Sequence, residues 1–583
     1  MEHSRPSTSI NTLDRLIHAA EGRITSGISP TSLFLAYMDW AIHLANSPGK
    51  QGELIQKAFK KNERFWTFLS KKTGAIKCIE DDESCITPLP QDKRFSSEAW
   101  KDLPFSLYVQ SFLLTQQWWH NATNGVHGVS KHHEEVVSFV TRQLLDIVSP
   151  SNFLMTNPEV LKVTQQEGGM NLVRGAENFL EDWERNRRGQ GPVGVEKFKI
   201  GVNLAVTSGK VIYSNRLIEL IQYSPSTQTV HAKPILFVPA WIMKYYILDL
   251  SENNSMVKYM VDRGYTVFMI SWKNPTEKDR DLSLQDYMDL GVLSALHQVE
   301  DITSSRHIHT VGYCLGGTLL MLTAAALAKE TQSTIGSITL LAAQTDFSEA
   351  GELMLFIDHS QVAYLEDMMW EQGYLDAKHM GGAFQLLRSN DLIWSKILNE
   401  YLMGKRSEVI DLIAWNNDPT RMPYQMHTEY LEKLFLNNDF SEHRYQVHGK
   451  YVSIGDIRCP LFVVGAEKDH IAPWKSVYKI KNLARTDVTF LLASGGHNAG
   501  IISEPGHQNR HYRISLKKKG DRYIHPDKWF DTVEKQAGSW WPEWDGWLAT
   551  RDTAKQVSPP KMGGKELEFQ KRFLDAPGRY VQE

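Results

Sequence analysis

Apolar residues in about the first 190 positions recur three and four residues apart, which predicts amphipathic helices. One such face runs over residues 33–44 and another over 105–113. A turn at 150–152 precedes a further helical run, and the polar, glycine-rich stretch 186–194 predicts a linker. We therefore expect a mostly helical N-terminal domain over residues 1–195.

The pattern changes after the linker, where short apolar runs alternate with helical ones. Runs of this length are typical of buried strands, and strands separated by helices predict a mainly parallel α/β sheet. Between Phe347 and Cys459 no comparable series of strands occurs, so we expect a helical cap inserted over about 348–458 in a catalytic domain spanning 196–583. The six predicted strands lie at 234–239, 265–272, 307–311, 337–341, 460–464 and 488–492.

Composition narrows the class of protein mainly by exclusion. The 64 basic and 68 acidic side chains of the 583 residues give a net charge of −4, which indicates neither a nucleic-acid partner nor a disordered chain. No apolar run approaches the roughly 18 residues of a membrane span, and the first residues do not resemble a signal peptide. Four cysteines without a C-x-x-C pair predict neither a disulfide framework nor a zinc site. We expect a cytosolic, reducing location.

The sequence around Cys314 has the pattern of a nucleophile elbow. Gly312-Tyr-Cys-Leu-Gly316 follows a predicted strand and precedes the apolar helix expected over 318–328. This G-x-C-x-G spacing places the nucleophile on a sharp strand-to-helix turn, where only small residues fit two positions before and after it. The helix start favours a thiolate. A buried structural cysteine is the other interpretation of this motif taken alone.

An acid and a histidine follow in the order that an α/β-hydrolase fold uses. Asp469 comes after the predicted strand at 460–464, and His497 comes after the one at 488–492. Each residue alone is also explained as a turn former or a surface group. Together with Cys314 they predict a catalytic triad, in which His497 keeps the thiol ionised and Asp469 orients the imidazole.

Backbone amides are expected to form an oxyanion hole beside this triad. One is that of Leu315, directly after the nucleophile, and the other lies in the loop after the first predicted strand, where Ile242 is the candidate and Trp241 the next choice. His470, beside the acid, is either a supporting contact or a plain loop histidine. Trp394 and Trp415 are expected to line the pocket, although tryptophans at such positions are also typical of a core.

At these residues the chain resembles the class I polyhydroxyalkanoate synthases, and the similarity covers about residues 95–583. Cysteine in the elbow, GSWWPEW and the APGRYV run are the most specific features, and Met243 stands where that family usually carries asparagine. The motifs that carry the resemblance are FVPAWIMKYYILDL (237–250), TVFMISWKNP (266–275), GYCLGGT (312–318), AWNNDPT (414–420), SGGHNAGII (494–502), GSWWPEW (538–544) and APGRYV (576–581).

The resemblance implies an acyltransferase that polymerises (R)-3-hydroxyacyl-CoA, with 3-hydroxybutyryl-CoA as the expected monomer. It assigns Cys314 as the acyl-carrying nucleophile, His497 as the base and Asp469 as the third member. It further implies a cytoplasmic homodimer on the surface of polyester granules, with the N-terminal domain contacting the granule or phasin-type proteins and contributing to activation. No cofactor is expected, because CoA is part of the substrate and product.

Three alternatives remain open at this point. A cysteine-dependent hydrolase of esters or thioesters would share every residue of the triad. A polyhydroxyalkanoate synthase for medium-chain monomers would share them too, since the volume of the pocket does not follow from the sequence. A catalytically inactive granule-coat or scaffold protein would not need the Cys314 thiol.

Overall fold

The computed structural model describes residues 9–74, 84–329, 334–376, 389–552, 556–564 and 573–583. The described residues form two compact units. One unit comprises those of Ile28–Val193 and Gly381–Glu408, and the other those of Met1–Gly27, Gly194–Met380 and Val409–Glu583. We call them the helical unit and the sheet unit. Cys78 lies outside the described residues.

The helices alternate with strands only in the sheet unit. The α-helices are α1 (Ser9–Ile24), α2 (Pro30–Ala45), α3 (Pro48–Lys72), α4 (Phe105–Thr123), α5 (Lys131–Ile147), α6 (Pro158–Gln166), α7 (Met170–Arg187), α8 (Met256–Asp262), α9 (Leu284–Asp286), α10 (Ser294–Thr303), α11 (Leu315–Leu327), α12 (His359–Gln372), α13 (Asp411–Asn416), α14 (Tyr424–Glu429), α15 (Trp474–Tyr478), α16 (Ile480–Leu483), α17 (Pro526–Thr532) and α18 (Trp541–Ala549). Residues Tyr287–Leu293, Asn390–Trp394, Ile397–Leu402 and Tyr430–Leu436 are π-helical.

The strands are numbered along the chain in the same way. They are β1 (Gly209–Ser214), β2 (Ile218–Tyr223), β3 (Ile235–Val238), β4 (Val267–Trp272), β5 (Ile308–Tyr313), β6 (Ile335–Leu341), β7 (Tyr374–Leu375), β8 (Met422–Pro423), β9 (Gln446–Val447), β10 (Lys450–Tyr451), β11 (Leu461–Ala466), β12 (Val488–Ala493), β13 (His511–Lys517), β14 (Gln536–Ala537) and β15 (Leu574–Asp575).

Eleven strands form one sheet in the order β14-β13-β12-β11-β6-β5-β3-β4-β2-β1-β15. The six strands from β12 to β4 are parallel to one another, and the outer ones are antiparallel. These six are the strands predicted from the apolar runs, so that prediction and the α/β-hydrolase fold class are confirmed. β3, β4, β11 and β12 are buried along their whole length, as expected for parallel strands covered on both faces.

Five strands extend the sheet beyond the predicted six, namely β1, β2, β13, β14 and β15. β2 was missed because its buried positions include Glu219 and Gln222, which the apolar pattern does not mark. Glu219 accepts hydrogen bonds from the amides of Arg579 and Tyr580, and Gln222 accepts one from the amide of Gly563. Distant backbone therefore satisfies these polar side chains inside the sheet unit.

The helical unit has its own core. The helices expected over 33–44 and 105–113 are confirmed as parts of α2 and α4. Phe95, Trp100 and Phe112 form edge-to-face ring contacts at the centre of this unit. Close packing of α7 against residues 397–402 leaves no room beside Gly175, where a Cβ atom would lie 1.8 Å from the carbonyl oxygen of Tyr401.

Two segments belong to a different unit from the rest of their predicted domain. α1 packs on α12 in the sheet unit, where His18 Nδ1 lies 2.7 Å from Asp367 Oδ2. The described residues of Gly381–Glu408, within the predicted cap, pack in the helical unit, where Arg406 donates to Asp182 at 2.7 Å. The predicted domain limits at residue 195 and at about 348–458 otherwise stay a prediction.

His309, the second residue of β5, is expected to make the sheet unit sensitive to acid. Its side chain is buried against Ser337 Oγ at 2.7 Å, and burial lowers its pKa to about 4. An unfolded chain protonates this histidine near pH 6.5, whereas the folded chain does not until about pH 4.

The free energy of unfolding should therefore fall by roughly 3 kcal/mol as the pH drops from about 6.5 to about 4. Urea unfolding at a series of pH values measures this loss, which His309→Asn should reduce; equal slopes in both proteins would contradict the prediction.

Candidate active site

Cys314 stands at the turn between β5 and α11 with a backbone conformation that a side chain rarely adopts. Its φ is 50° and its ψ is −123°. Such a conformation costs about 1–3 kcal/mol and persists only where the surrounding structure fixes it. The amide of Cys314 donates to Leu341 O at 2.9 Å, and its carbonyl accepts from the amide of Gly317 at 2.9 Å. The thiol is thereby aimed at the carboxyl edge of the parallel strands, as predicted for an elbow.

Only glycine fits two positions before and two positions after Cys314, because backbone atoms of neighbouring segments lie too close for a side chain. A Cβ atom on Gly312 would lie 2.3 Å from Gly317 Cα, and one on Gly316 would lie 2.2 Å from Val238 O. Because both neighbours are backbone atoms, neither can move aside cheaply. The loop after β3 is thus pressed against the first turn of α11.

Asp469 and His497 meet beyond the ends of β11 and β12. Asp469 Oδ2 lies 2.7 Å from His497 Nδ1, and both side chains are buried. The other carboxylate oxygen, Oδ1, accepts from the amides of Ile471 and Ala472, each at 2.9 Å. These bonds fix the carboxylate, which in turn orients the imidazole and leaves its Nε2 for a further partner.

The electrostatics of His497 bring Cys314 into the same group. Burial alone lowers the pKa of His497, but the charge of Asp469, the charge of Cys314 and hydrogen bonds to both outweigh it and raise the pKa well above its ordinary value. The structure therefore brings the three predicted residues together in the order sulfur, imidazole, carboxylate. These neighbours therefore favour the protonated form of His497.

The two predicted oxyanion donors lie on adjoining elements. Leu315 is the first residue of α11, and Ile242 belongs to the loop after β3, which Gly316 touches. Ile242, Leu315 and Cys314 pack against the same apolar cluster. Their role as amide donors stays a prediction.

The other residues predicted for the pocket have different positions. Trp415 is buried and donates from Nε1 to Lys244 O at 2.8 Å, so it contacts the loop after β3. His470 is half-buried in the loop that follows β11, directly after Asp469. Trp394 is half-buried and belongs to the helical unit. A role in substrate binding stays a prediction for all three.

Within the described residues, no helix is long and apolar enough to cross a membrane. In that same part of the chain, no group of three or more histidine, cysteine, aspartate or glutamate side chains is arranged to hold a metal ion.

Three family descriptions match parts of the chain. "Poly-beta-hydroxybutyrate polymerase (PhaC) N-terminus" matches residues 91–260, and "Poly-beta-hydroxybutyrate polymerase N terminal" matches residues 8–50. "Alpha/beta hydrolase fold" matches residues 233–503, a range that contains Cys314, Asp469 and His497. A solved monoacylglycerol lipase from Paleococcus ferrophilus is similar at 12% identity over 48% of this chain and 90% of that one, with a TM-score of 0.30.

Two curated relatives are similar over almost the whole chain. The poly(3-hydroxyalkanoate) polymerase of Methylorubrum extorquens is 38% identical over 521 residues, which are 88% of this chain and 84% of the relative. The poly(3-hydroxyalkanoate) polymerase subunit PhaC of Cupriavidus necator is 32% identical over 544 residues, which are 92% of this chain and 89% of the relative. The chain belongs to the poly(3-hydroxyalkanoate) polymerase family. The family resemblance drawn from the motifs is thus confirmed.

The polymerase site also contains two tyrosines that sequence reasoning missed. Tyr313 donates to Asn498 Oδ1 at 2.6 Å, and its ring centroid lies 5.7 Å from that of His497. Tyr430 is buried, and burial followed by the charge of Cys314 raises its pKa well above the ordinary value. Tyr313 was visible as the residue before the nucleophile, whereas no motif marks Tyr430, which comes from the π-helix at 430–436.

Gly316 of this polymerase allows a sharp test of the elbow. Gly316→Ala should lower the free energy of unfolding by several kcal/mol or displace the loop after β3, because the added Cβ meets Val238 O. Gly546→Ala, on the exposed face of α18 with no atom within 4 Å of the added Cβ, is the matched control and should stabilise by about 1 kcal/mol. Chemical denaturation measures both. Equal stability of the two variants would contradict this account.

Asp469 can be tested through the titration of His497. Asp469→Asn removes the charge that opposes burial, so the pKa of His497 should fall from its raised value. Histidine chemical shifts followed against pH in a selectively labelled protein measure the change. Activity should fall by about 100-fold or more, as expected when the imidazole loses its orienting carboxylate. Asp521→Asn, at an exposed turn, is the control; an unchanged His497 titration in Asp469→Asn would refute the assignment.

Proposed function

We propose that this chain polymerises (R)-3-hydroxyacyl-CoA into polyhydroxyalkanoate with release of CoA, through an acyl group carried on Cys314. The observation that carries the proposal is the buried Asp469–His497 pair, whose imidazole interacts with a thiol held in the elbow. Membership of the poly(3-hydroxyalkanoate) polymerase family supports the same reaction.

In the first half-reaction, the Cys314 thiolate attacks the thioester carbonyl of the substrate. The amides of Leu315 and Ile242 donate to the carbonyl oxygen as it becomes negative. When the intermediate collapses, the CoA sulfur leaves and takes a proton from His497. Because one thioester replaces another, this transfer is nearly isoenergetic, and the acyl group stays reactive.

In the second half-reaction, the hydroxyl of another 3-hydroxyacyl unit attacks the acyl-cysteine. His497, neutral after it has protonated CoA, accepts the hydroxyl proton, and Asp469 stabilises the imidazolium that forms again. An ester bond forms, the bond between Cys314 sulfur and the acyl carbon breaks, and the chain is one unit longer. The cycle restores the initial proton balance.

Polymerisation instead of hydrolysis requires that water be kept from the acyl-cysteine. Cys314 is half-buried, and it packs against the apolar cluster that contains Trp415. The charge of Cys314 contributes, after burial, to the raised pKa of Tyr430. The Tyr430 ring packs edge-to-face on Trp241. These buried rings support a site from which water is largely excluded.

The finer assignments are part of the same proposal. We infer a class I enzyme that prefers 3-hydroxybutyryl-CoA and needs no cofactor beyond the CoA of its substrate. We further infer a homodimer that acts in the cytoplasm at the surface of polyester granules, where it contacts the growing chain and phasin-type proteins. The resemblance of the motifs to class I synthases supports these assignments.

The decisive experiment follows radiolabelled 3-hydroxybutyryl-CoA. The native protein should release CoA, form insoluble polymer and carry covalent label, while Cys314→Ala should take up no label and release CoA at least about 1,000-fold more slowly. Cys459→Ala is the matched control, because burial raises the pKa of the Cys459 thiol to about 12 and keeps it protonated. Full activity is expected for this control.

Each competing function predicts a different product. Free 3-hydroxybutyrate without polymer would identify a hydrolase. Faster consumption of 3-hydroxydecanoyl-CoA than of 3-hydroxybutyryl-CoA would identify a medium-chain synthase. Neither CoA release nor covalent label in the native protein would refute the acyltransferase and favour a scaffold.

A further inference from the structure

Thr420 holds the loop after β3 at two consecutive peptide groups. Its hydroxyl donates to Trp241 O, and its amide donates to Ile242 O at 3.0 Å. Thr420 is 1% exposed, so water does not compete for either bond. The clamp continues with a backbone bridge between Met243 and Pro419.

Two further carbonyls of this loop also accept hydrogen bonds. Trp272 Nε1 donates to Pro239 O at 2.9 Å, and Trp415 Nε1 donates to Lys244 O at 2.8 Å. Lys244 Nζ in turn donates to Tyr580 O at 3.2 Å and to Glu583 O at 3.3 Å. A loop of irregular backbone is thus fixed by partners from several parts of the chain, which is unusual for a segment that only connects two elements.

The hydrogen bond to Trp241 O also fixes the orientation of the Ile242 amide, because both belong to the same peptide group. The group is planar and trans, so the N–H of Ile242 points away from the side on which Thr420 binds the carbonyl. Gly316 lies against Val238 O and Pro239 O, which places the same loop beside the first turn of α11 and its Leu315 amide.

We infer that Thr420 is a positioning residue whose hydroxyl sets the Ile242 amide as the second oxyanion donor; the inference rests on the proposed acyl transfer at Cys314. In that step, sulfur bonds to the carbonyl carbon and the carbonyl π electrons move to oxygen, where the Ile242 and Leu315 amides donate. Expulsion of the CoA sulfur, protonated by His497, restores the carbonyl. Without the hydroxyl, the 241–242 peptide is free to tilt while the amide of Thr420 still holds Ile242 O.

The test compares Thr420→Val with Thr420→Ser. Valine keeps the branched shape and the backbone amide but has no hydroxyl, whereas serine keeps the hydroxyl. Two rates are measured for each protein. One is the release of CoA from 3-hydroxybutyryl-CoA, and the other is the alkylation of Cys314 by iodoacetamide. Alkylation is substitution at a saturated carbon, so it needs the thiolate and His497 but no oxyanion donor. All rates are expressed per folded protein, whose fraction is measured separately by size-exclusion chromatography, because an unfolded chain also exposes Cys314 to iodoacetamide.

Thr420→Val should slow CoA release about 10- to 100-fold, somewhat less than the loss of a whole oxyanion donor. The KM for the substrate and the alkylation rate should change by less than about threefold, because the interaction forms only in the transition state. Thr420→Ser should release CoA at close to the native rate.

Two results would overturn the inference. One is normal CoA release by Thr420→Val, and the other is a parallel fall of alkylation and CoA release, which would indicate general damage to the site. If Thr420→Val gives no folded protein, Thr420→Ala, which removes the hydroxyl without adding bulk, must show the same separation of the two rates, or the inference fails. Failure of the proposed function itself is distinguishable, since the native protein would then release no CoA.

Discussion

The left-handed backbone at Cys314 is the constraint on which the site depends. A non-glycine residue at φ 50° is strained. Here Leu341 O of β6 accepts a hydrogen bond from the Cys314 amide, and α11 begins at the next residue. The same turn requires glycine at positions 312 and 316, because a Cβ atom added at either one would lie 2.3 Å or less from another backbone atom. The tight turn therefore allows the loop after β3 to lie directly against the first turn of α11.

The ionisable side chains beside this turn stabilise one another, because His497 lies between Asp469 and Cys314. His497 and Asp469 are both removed from water, and an isolated buried charge would be very costly. Beside Asp469 and Cys314, the pKa of His497 is raised well above its ordinary value in spite of its burial. Tyr313 and Tyr430, whose pKa values burial and the thiolate raise further, stay neutral beside it and add no competing anion. The site can thus alternate between imidazolium and imidazole without ionising its surroundings.

The sequence predicted the parts of this protein whose pattern is local. The six parallel strands follow from short apolar runs, and the elbow, Asp469 and His497 follow from their places after strands. Strand β2 was not predicted, because Glu219 can be buried there only through hydrogen bonds from two backbone amides 360 and 361 positions later in the chain. The clamp at Thr420 was missed for the same reason: a threonine in a loop has no signature until its partner 179 positions earlier is known. Trp394 was expected in the pocket as one of the aromatic residues of the predicted cap; the structure groups it with the helical unit, and its role in substrate binding stays a prediction.

The contact between Lys244 and residues 580–583 has a consequence for biosynthesis. The ribosome completes the nucleophile, the acid and the base long before it reaches Tyr580, yet the β3 loop has its full set of hydrogen bonds only when that late segment has arrived. A nascent chain that has not reached Tyr580 lacks the two hydrogen bonds of Lys244 Nζ, while Thr420, Trp272 and Trp415 still hold the rest of the loop. Complete support of the loop therefore depends on contacts that form only late in synthesis.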